Sequence, residues 1–489
     1  MKKIIFLLFV VVTSTHALFA QIEKVNSLIE TFKKDSSLLN ASWSFCLLDN
    51  QNGKLVAAKD KFLSLLPASS MKIITTSTAL ALLGENYRYQ TTINYTGSLE
   101  KGVLHGDVII KGSGDPSLGS DRMPGVPSYN SLIQMMVDSI QKSGIRSIEG
   151  RLIADESCFT GSSIPSTWNW SDIGNYFGAG ASGINLNENS YDIFFKPCVK
   201  NNTKPVISRV EPNMSSLLFT NLLIANDTVG NMDDAYIYGA PYTNERTLAG
   251  LVPLSDKEFS ISGSIPDPAL FLAQLLQDSL AAKNIQVKQS VSTSRILANE
   301  GIAYGSTGVS IFNYYSPPLK DIISITNQKS INLYAEALLK TIAKEKGQVA
   351  NTENGIRIVQ KYWQSKGIDL SGFYMKDGSG LSRHNAVSPY HFTQILLQIS
   401  KENYFKTFKN TLAVAGKSGT LKGMGIGTLA EGNIFAKSGT VERGISYTGY
   451  VNTSSGKTLS FSIMFNNYNS KNLVLRQKIS KLMAAMAGI

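Results

Sequence analysis

The chain has 489 residues, of which 43% are hydrophobic and 17% are charged, and its formal net charge is +11 at pH 7. That length exceeds one ordinary domain and predicts two or three. The balance of apolar and charged residues fits a globular protein with a large core and excludes an intrinsically disordered chain. The four histidines and three cysteines show no metal-ligand spacing, so we expect neither a zinc site nor a cofactor.

The basic residues are spread along the chain and do not form blocks. A positive balance of this kind favours anionic surroundings, such as a cell-wall polymer or a membrane surface that the protein contacts peripherally. A soluble basic surface explains the same charge equally well. The sequence contains no nucleic-acid-binding motif, so we expect no nucleic-acid partner.

Residues 1–20 have the pattern of a secretory signal. Lys2 and Lys3 precede an unbroken apolar run at 4–12, and Ala20 is small enough for the position before cleavage. The run is too short to cross a bilayer, which takes about 20 apolar residues. We therefore predict export to the periplasm, with the loss of two lysines lowering the net charge to +9. The alternative is a retained N-terminal anchor.

Three cysteines would meet an oxidising compartment after export, where two of them can pair. Cys158 and Cys198 lie in the same middle region of the sequence and are the pair we favour over one that includes Cys46. The sequence leaves open whether this disulfide forms.

The length and type of the predicted secondary-structure elements change near residue 87. Before it, hydrophobic periodicity and turn residues predict a helix at 22–32, strands at 42–48 and 54–58, and a helix at 73–83. After it come short strands and glycine turns, and then two similar helix-strand stretches at 129–153 and 266–291. We therefore expect residues 85–300 to be an insertion, with a β-rich inner part at about 165–250.

The second half returns to longer elements. The pattern predicts helices at 333–346, 352–366, 389–402 and 473–486, and strands at 433–437, 445–452 and 459–466. Serines alternate with apolar residues at 460–465, which predicts an antiparallel strand with one face exposed. We expect a mixed α/β (α+β) fold in which 21–84 and 301–489 form one domain around the insertion.

Ser69 and Lys72 lie three positions apart at the start of the predicted helix at 73–83. Positions i and i+3 share one face of a helix, so a hydroxyl and an amine are held within reach of each other. Serine becomes a good nucleophile when a neighbouring base takes its proton, and a lysine can be that base. The pattern alone is weak, because it recurs at Ser98/Lys101, Ser139/Lys142 and Ser454/Lys457.

Two further patterns match the needs of an acyl-enzyme hydrolase. Ser330 and Asn332 stand just before a predicted helix, although Ser330 could equally be an ordinary helix N-cap. Lys-Ser-Gly occurs at Lys142, Lys417 and Lys437. We favour Lys437 over Lys417, because only Lys437 ends a predicted strand, where a lysine and a hydroxyl can hold a carboxylate.

In this order and after this long insertion, Ser69-x-x-Lys72, Ser330-x-Asn332 and Lys437-Ser-Gly resemble the penicillin-recognising serine hydrolases. The chain is similar, over nearly all of its length after the signal, to the class C low-molecular-mass penicillin-binding proteins, the D-alanyl-D-alanine carboxypeptidase/endopeptidase family. Further stretches that carry the resemblance are 67–72, 112–116, 168–172, 377–383 and 415–421. The resemblance implies a transpeptidase-like (β-lactamase-like) domain with an antiparallel sheet flanked by helices, plus inserted β-rich subdomains.

The resemblance also implies roles for the motif residues. Ser69 would be acylated and Lys72 would take its proton. Ser330 would pass a proton to the leaving D-alanine, while Asn332 would hold the substrate amide.

Other roles implied by the family concern the substrate's end groups. Lys437 and Ser438 would bind the terminal carboxylate, with Gly439 allowing close approach. The backbone N–H groups of Ser69 and Thr440 would form the oxyanion hole. Asp172 matches an acidic position of the family that is thought to bind the amino group of the peptide side chain.

The chain departs from the family pattern at two places. The usual third motif is Lys-Thr-Gly, and Ser438 keeps the hydroxyl while losing a methyl group. Ser418 stands where the family commonly has an acidic residue, and we have no account of that change.

The function implied is a periplasmic D-Ala-D-Ala peptidase that cleaves peptidoglycan stem peptides through an acyl-serine and is inhibited covalently by β-lactam antibiotics. A β-lactamase or esterase of the same superfamily, or a catalytically silent wall-binding module, are the alternatives. The sequence leaves open the balance of carboxypeptidase and endopeptidase activity, the preferred stem-peptide side chain and the oligomeric state.

Overall fold

The computed structural model describes residues 20–230, 233–305 and 308–489. The predicted signal therefore lies outside the described residues, except for Ala20. The chain divides into two compact units: the first is the chain up to Glu85 with Ile323–Ile331 and Ile356–Ile489, and the second is Asn86–Ile322 with Asn332–Gly355. Residues 301–322 and 332–355, which the sequence analysis placed in the domain around the insertion, thus cluster with the inserted residues. The domain boundaries proposed from the sequence stay predictions.

The described helices and strands are numbered in chain order. The helices are α1 (20–33), α2 (Lys72–Leu83), α3 (Tyr129–Lys142), α4 (Trp170–Ile173), α5 (Pro268–Ala281), α6 (Ser294–Asn299), α7 (Leu319–Lys329), α8 (Asn332–Glu345), α9 (Thr352–Ser365), α10 (Pro389–Ile399), α11 (Phe405–Thr411) and α12 (Asn472–Ala487). The strands are β1 (Ser42–Asp49), β2 (Leu55–Lys59), β3 (Gln90–Tyr95), β4 (Ser98–Glu100), β5 (Val103–His105), β6 (Val108–Lys111), β7 (Ser147–Ile148), β8 (Leu152–Asp155), β9 (Ser190–Phe195), β10 (Ile207–Glu211), β11 (Leu218–Asn221), β12 (Ile224–Ala225), β13 (Asp234–Tyr238), β14 (Glu245–Val252), β15 (Phe259–Ser264), β16 (Gln286–Val287), β17 (Ser292–Thr293), β18 (Val309–Tyr315), β19 (Ala413–Val414), β20 (Ile434–Val441), β21 (Gly444–Asn452) and β22 (Thr458–Asn466).

The first unit is built on a six-stranded sheet with the strand order β19-β20-β21-β22-β1-β2, in which every pairing is antiparallel. One face shares a core with α1 and α12, through residues such as Phe32, Phe45 and Ile479. The other face meets α10, where Thr393 Oγ1 donates to Cys46 Sγ at 3.3 Å.

Because helices cover both faces of this sheet, the prediction that β22 has an exposed face is wrong. Ser460 and Ser462 are fully buried. Their hydroxyls are satisfied within the protein: Ser460 Oγ donates to Asn50 Oδ1 at 2.7 Å, and Ser462 Oγ lies 2.8 Å from Thr448 Oγ1. A serine–apolar alternation can therefore occur in a fully buried strand when each hydroxyl has a partner.

Helix α2 runs through the interior of the first unit. Its residues from Lys72 to Leu80 are all buried, so it has no solvent-facing side. Its hydroxyl side chains bond to neighbouring elements. Trp363 Nε1, for example, donates to Thr78 Oγ1 at 2.9 Å. The helix therefore provides a fixed base for the residues that precede it.

The second unit contains the two similar stretches expected from the sequence. Each has a long helix followed by two short strands: α3 leads to β7 and β8, and α5 leads to β16 and β17. The strands pair in parallel across the two copies, β16 with β7 and β17 with β8. The long strands β9 and β14 belong to further sheets of the same unit.

The three cysteines are free thiols, so the favoured disulfide between Cys158 and Cys198 is not formed. Cys158 Sγ donates to Gly183 O at 3.5 Å, and Cys198 Sγ lies 3.2 Å from Thr203 Oγ1. As for membrane spans, the described part of the chain has no helix of the length and apolarity that a crossing needs.

Candidate active site

Ser69 lies in a 3-10 turn, Ala68–Met71, that runs directly into α2. Its hydroxyl accepts a hydrogen bond from Lys72 Nζ at 2.9 Å. Ala68, just before it, has a φ of 45°, a conformation that costs free energy for a residue with a Cβ. The helical spacing thus brings the hydroxyl and the amine together as the sequence predicts.

Lys72 is fully buried, and its amine has a second partner that the sequence analysis did not identify. Lys72 Nζ donates to the backbone carbonyl of Ser379 at 2.7 Å. The loop that presents this carbonyl folds around Asp377, whose buried carboxylate accepts from Gly380 N at 2.8 Å and Ser382 N at 2.7 Å. Asp377 therefore positions one of the groups that orient the lysine.

Gly380 lets this loop approach the turn that contains Ser69. It has a φ of 85°, and a Cβ there would lie 1.9 Å from Ala68 O. A side chain at this position would push the loop away from the Ser69 turn.

Ser330 stands between α7 and α8 in the left-handed region, with a φ of 64°. Ile331 separates it from the start of α8 at Asn332, so it does not directly precede that helix. Its hydroxyl instead accepts from Lys437 Nζ at 2.9 Å. Strained backbone of this kind is common where a side chain must be aimed at a partner.

Lys437 lies near the middle of β20 and is fully buried. Besides Ser330, its Nζ donates to the carbonyl of Ser438 at 2.6 Å. Burial, and then the charge of Lys72, hold the pKa of Lys437 well below its ordinary value of 10.5. The first unit thus contains two buried amines, and repulsion disfavours a charge on both at once.

The residues after Lys437 pass beside the Ser69 turn. A Cβ on Gly439 would lie 2.8 Å from Ser69 N and 2.6 Å from Pro67 O, so only glycine fits there. Ser438 Oγ donates to Thr420 Oγ1 at 2.7 Å. Thr420 comes from a loop that the sequence analysis did not connect with the site.

Thr440 follows on the same strand. Its Oγ1 accepts from Arg476 Nη2 at 3.4 Å, which brings an exposed guanidinium from α12 to this end of β20. Nothing in the sequence marks Arg476, because its position depends on how α12 packs on the sheet.

The other copies of the two lysine motifs have ordinary structural roles. Lys417 is exposed and pairs with Glu431 at 2.6 Å, and Ser418 Oγ accepts from Val414 N at 3.1 Å. Ser139 Oγ donates to its own helix at Met135 O, and Ser454 Oγ donates to Ala487 O.

Asn332 and Asp172 belong to the second unit, unlike the other candidate site residues. Asn332 Nδ2 donates to Phe177 O at 2.8 Å. Asp172 lies in α4 and is 6% exposed, and its carbonyl accepts from Asn175 N at 3.2 Å. Asn332 and the segment 172–177 are therefore neighbours within this unit.

No group of three or more His, Cys, Asp or Glu residues that could hold a metal ion occurs in the described ranges. The chemistry available from the arrangement in the first unit is that of a serine hydroxyl beside an amine. A serine hydrogen-bonded to a buried lysine is the arrangement of hydrolases that form an acyl-enzyme.

The comparison with known families agrees with that class. Residues 25–487 match the D-Ala-D-Ala carboxypeptidase 3 (S13) family, and the chain belongs to this family. The predicted resemblance, the mixed α/β fold and the classification as a serine-type D-Ala-D-Ala peptidase are confirmed.

Similar proteins extend over almost the whole chain. D-alanyl-D-alanine carboxypeptidase DacB of Haemophilus influenzae is 25% identical over 438 residues, which are 88% of this chain and 87% of that protein. The D-alanyl-D-alanine carboxypeptidase of Actinomadura sp. (strain R39) is 24% identical over 482 residues, 96% of this chain and 86% of that protein.

A solved structure supports the fold. The crystal structure of penicillin binding protein 4 (dacB) from Haemophilus influenzae matches with a TM-score of 0.80 at 20% identity, covering 94% of this chain and 99% of that one. A second crystal structure of that protein, in complex with a novel β-lactam, matches with a TM-score of 0.73.

Proposed function

We propose that Ser69 is the nucleophile that attacks the carbonyl carbon between the two D-alanines of a peptidoglycan stem peptide. The observation that carries this proposal is the 2.9 Å hydrogen bond between Ser69 Oγ and Lys72 Nζ, in a buried setting fixed by α2. A neutral amine at that distance can remove the hydroxyl proton as the new bond forms.

The acylation step accounts for each proton. The Ser69 proton passes to Lys72 Nζ, while Oγ bonds to the substrate carbonyl carbon. The carbon–nitrogen bond to the last D-alanine then breaks, and the leaving amine takes a proton from the Ser330 hydroxyl. Lys437 Nζ, which donates to Ser330 Oγ at 2.9 Å, supplies the replacement proton. Lys72 then releases the proton it received to solvent and Lys437 takes one up from solvent, which resets both amines. Water attacks the ester carbon, Lys72 takes a proton from the water and returns it to Ser69 Oγ as the carbon–oxygen bond breaks, and Ser69 and both lysines are restored.

Two groups of donors act on the substrate in this scheme. The backbone N–H groups of Ser69 and Thr440 stabilise the developing oxyanion. Lys437 and Ser438 bind the terminal carboxylate by charge and hydrogen bonding. The close approach that Gly439 permits beside Ser69 N supports the idea that both groups serve one substrate.

Two residues of the second unit, Asn332 and Asp172, are proposed to bind the stem peptide. We assign Asn332 to the substrate amide and Asp172 to the amino group of the stem-peptide side chain. Their support is that Asn332 bonds to the segment that follows Asp172 within this unit.

The site of action follows from the substrate. The secretory pattern of residues 1–20 and the cell-wall peptide together favour the periplasm, with peptidoglycan peptides as the physiological partner. β-Lactams mimic the D-Ala-D-Ala end and would acylate Ser69. The penicillin binding protein 4 complex with a β-lactam supports this for a protein of the same fold.

Digestion of purified sacculi tests the proposal and identifies the bond that is cut. The wild-type chain and Ser69→Ala are incubated with sacculi, and the soluble products are separated by mass. We expect free D-alanine from carboxypeptidase action, or uncross-linked muropeptides from endopeptidase action, with wild type only. Identical products from both proteins, or none from either, would contradict the proposal.

A further inference from the structure

Arg476 of α12 meets β20 at a stretch whose outer edge is open. On one side β20 pairs with β21 along its whole length. On the other side β19 pairs with Phe435 and Ala436, and no strand of the described chain pairs with residues 437–441 there. Such an edge presents unpaired backbone N–H and C=O groups, and extended peptides bind to it by adding a strand.

The side chains of this stretch alternate between the two faces of the sheet. Gly439 borders the Ser69 turn, and the fully buried Lys437 shares its face. Ser438 and Thr440 therefore project from the opposite face, about 7 Å apart along the strand. Ser438 is partly exposed and Thr440 is exposed, so a ligand at the open edge can reach both hydroxyls.

The guanidinium of Arg476 lies on the same face as these two hydroxyls. Its Nη2 donates to Thr440 Oγ1 at 3.4 Å. Tyr447 stands directly opposite Ser438 in the register of β20 and β21, so their side chains are neighbours on that face. Burial raises the pKa of Tyr447 to about 12, and the positive charge of Arg476 acts against this shift. Both observations place the guanidinium in the neighbourhood of Ser438.

The charge of Arg476 has no acidic partner at close range in the described part of the chain. Lys478, two residues later in α12, pairs with Asp35, whereas the exposed guanidinium of Arg476 meets the hydroxyl of Thr440. A guanidinium has five N–H donors in a fixed fork, and one hydroxyl engages one of them. The remaining donors suit a carboxylate, which the fork can hold through two parallel hydrogen bonds.

Lys437 alone is poorly equipped to attract a carboxylate. Its Nζ already donates to Ser330 Oγ and to Ser438 O. Burial and the charge of Lys72 also lower its pKa. Arg476 stays charged at every accessible pH. It can therefore offer a permanent positive charge to an anionic group that approaches the open edge, and Lys437 can take up a proton once that group has arrived.

We propose that Arg476 determines specificity by binding the α-carboxylate of the residue that follows the scissile bond, with Ser438 Oγ as a second donor. This inference rests on the proposed function, in which Ser438 contacts that carboxylate. Ser438 Oγ would exchange its bond to Thr420 Oγ1 for the ligand.

The proposed contact selects one class of substrate. It favours peptides whose leaving amine carries a carboxylate on the adjacent carbon. The same peptide with an amide at that position would be a poorer substrate, because an amide has no charge and offers the guanidinium fork only one oxygen.

Two peptides that differ only at the C-terminus test this role: diacetyl-Lys-D-Ala-D-Ala and its C-terminal amide. We expect Arg476→Gln to lower kcat/KM at least tenfold for the acid, measured as release of D-alanine. For the amide, measured as release of D-alaninamide, the loss should be less than twofold. Arg476→Lys keeps the charge without the fork and should fall between wild type and Arg476→Gln on the acid. Lys481→Gln removes an exposed charge from the same helix and should leave both values unchanged.

Calorimetric binding to the full-length Ser69→Ala protein separates this inference from the proposed function, because it needs no turnover. Adding Arg476→Gln should weaken binding of the acid at least tenfold and leave binding of the amide unchanged. No binding of the acid to Ser69→Ala, equal affinity for the acid with and without Arg476→Gln, or an equal loss for acid and amide would overturn the inference. Failure of the wild-type chain to release D-alanine would instead contradict the proposed function.

Discussion

Lys437 Nζ and Ser330 Oγ lie 2.9 Å apart although 107 residues separate them in the sequence. The contact joins the interior of β20 to a strained residue between two helices. Burial and the charge of Lys72 lower the pKa of Lys437, so this amine loses its proton more easily than an ordinary lysine, and a negative ligand would favour its charged form.

The depressed pKa of Lys437 predicts proton uptake when a carboxylate ligand binds. A substrate carboxylate favours the charged amine and raises its pKa again. At pH values above the lowered pKa of the free Lys437 amine and below its raised pKa in the complex, binding of diacetyl-Lys-D-Ala-D-Ala to Ser69→Ala should therefore take up a proton, approaching one per ligand. Calorimetry in buffers of different ionisation enthalpy measures this uptake.

Two variants control that measurement. Lys437→Arg stays charged at every accessible pH, so it should remove the uptake, whereas Lys417→Arg at the exposed Glu431 pair should retain it. Proton release on binding, or uptake that persists in Lys437→Arg, would be inconsistent with the assignment of Lys437 to the carboxylate.

Asp377→Asn should slow acylation without abolishing binding. In Asp377→Asn, an NH2 group replaces one of the two carboxylate oxygens that accept hydrogen bonds from Gly380 N and Ser382 N. The loop should therefore shift, and the hydrogen bond from Lys72 Nζ to Ser379 O should be lost. A displacement of about 1 Å can cost roughly 100-fold in rate. We expect a 10- to 100-fold lower rate of penicillin acylation in stopped-flow assays.

Asp369→Asn provides the comparison, because Asp369 is exposed and its carboxylate accepts locally from the backbone N–H and the hydroxyl of Ser371. A rate for Asp377→Asn equal to that of Asp369→Asn would show that the loop does not position Lys72.

Gly439→Ala should impair the site by displacing β20 from Ser69, the proposed nucleophile. The added Cβ would meet Pro67 O at 2.6 Å and Ser69 N at 2.8 Å, closer than real Cβ contacts allow. We expect acylation at least 10-fold slower, because misaligned reacting groups lose rate steeply. Gly423→Ala meets nothing within 4 Å and should behave as wild type. Normal acylation by Gly439→Ala would refute the close approach.

Asp115 predicts a pH-dependent stability in the second unit. Burial raises its pKa from 3.8 to about 6, so the folded state favours the protonated acid. The contribution of this carboxyl group to the free energy of unfolding is fully present below about pH 4 and is lost as the pH rises through about 6. Asp115→Asn lacks this loss and should be more stable than wild type by about 3 kcal/mol at pH 8, with a much smaller difference at pH 4.

Urea unfolding at the two pH values checks this difference. A gap between variant and wild type that does not grow with pH would mean that Asp115 is not held in its protonated form.

Local geometry explains why part of the site was predictable. Ser69 and Lys72 meet because a helix brings i and i+3 together, which the sequence reveals directly. Ser330 and Lys437 could be paired only through the family resemblance, because their contact depends on the tertiary fold. The carbonyl of Ser379 gave no signal at all, since every residue carries one.

The same distinction applies to the fold. The predicted strands 445–452 and 459–466 agree with β21 and β22 to within a residue at each end. Helix α7 was missed because its Ser, Thr and Asn residues weaken its helix propensity, which packing then overrides. Likewise, β22 was expected to have an exposed face because the sequence cannot show that a second helix layer covers it.

The central claim, acylation of Ser69 with Lys72 as its base, is tested most directly by peptide mass mapping after incubation with penicillin G. We predict one long-lived penicilloyl adduct on the peptide that contains Ser69, no adduct in Ser69→Ala, and formation slowed by roughly 10² to 10⁴ in Lys72→Met, the usual size of general-base catalysis. An adduct on another residue, no adduct with wild type, or rapid turnover of penicillin without accumulation would contradict the account.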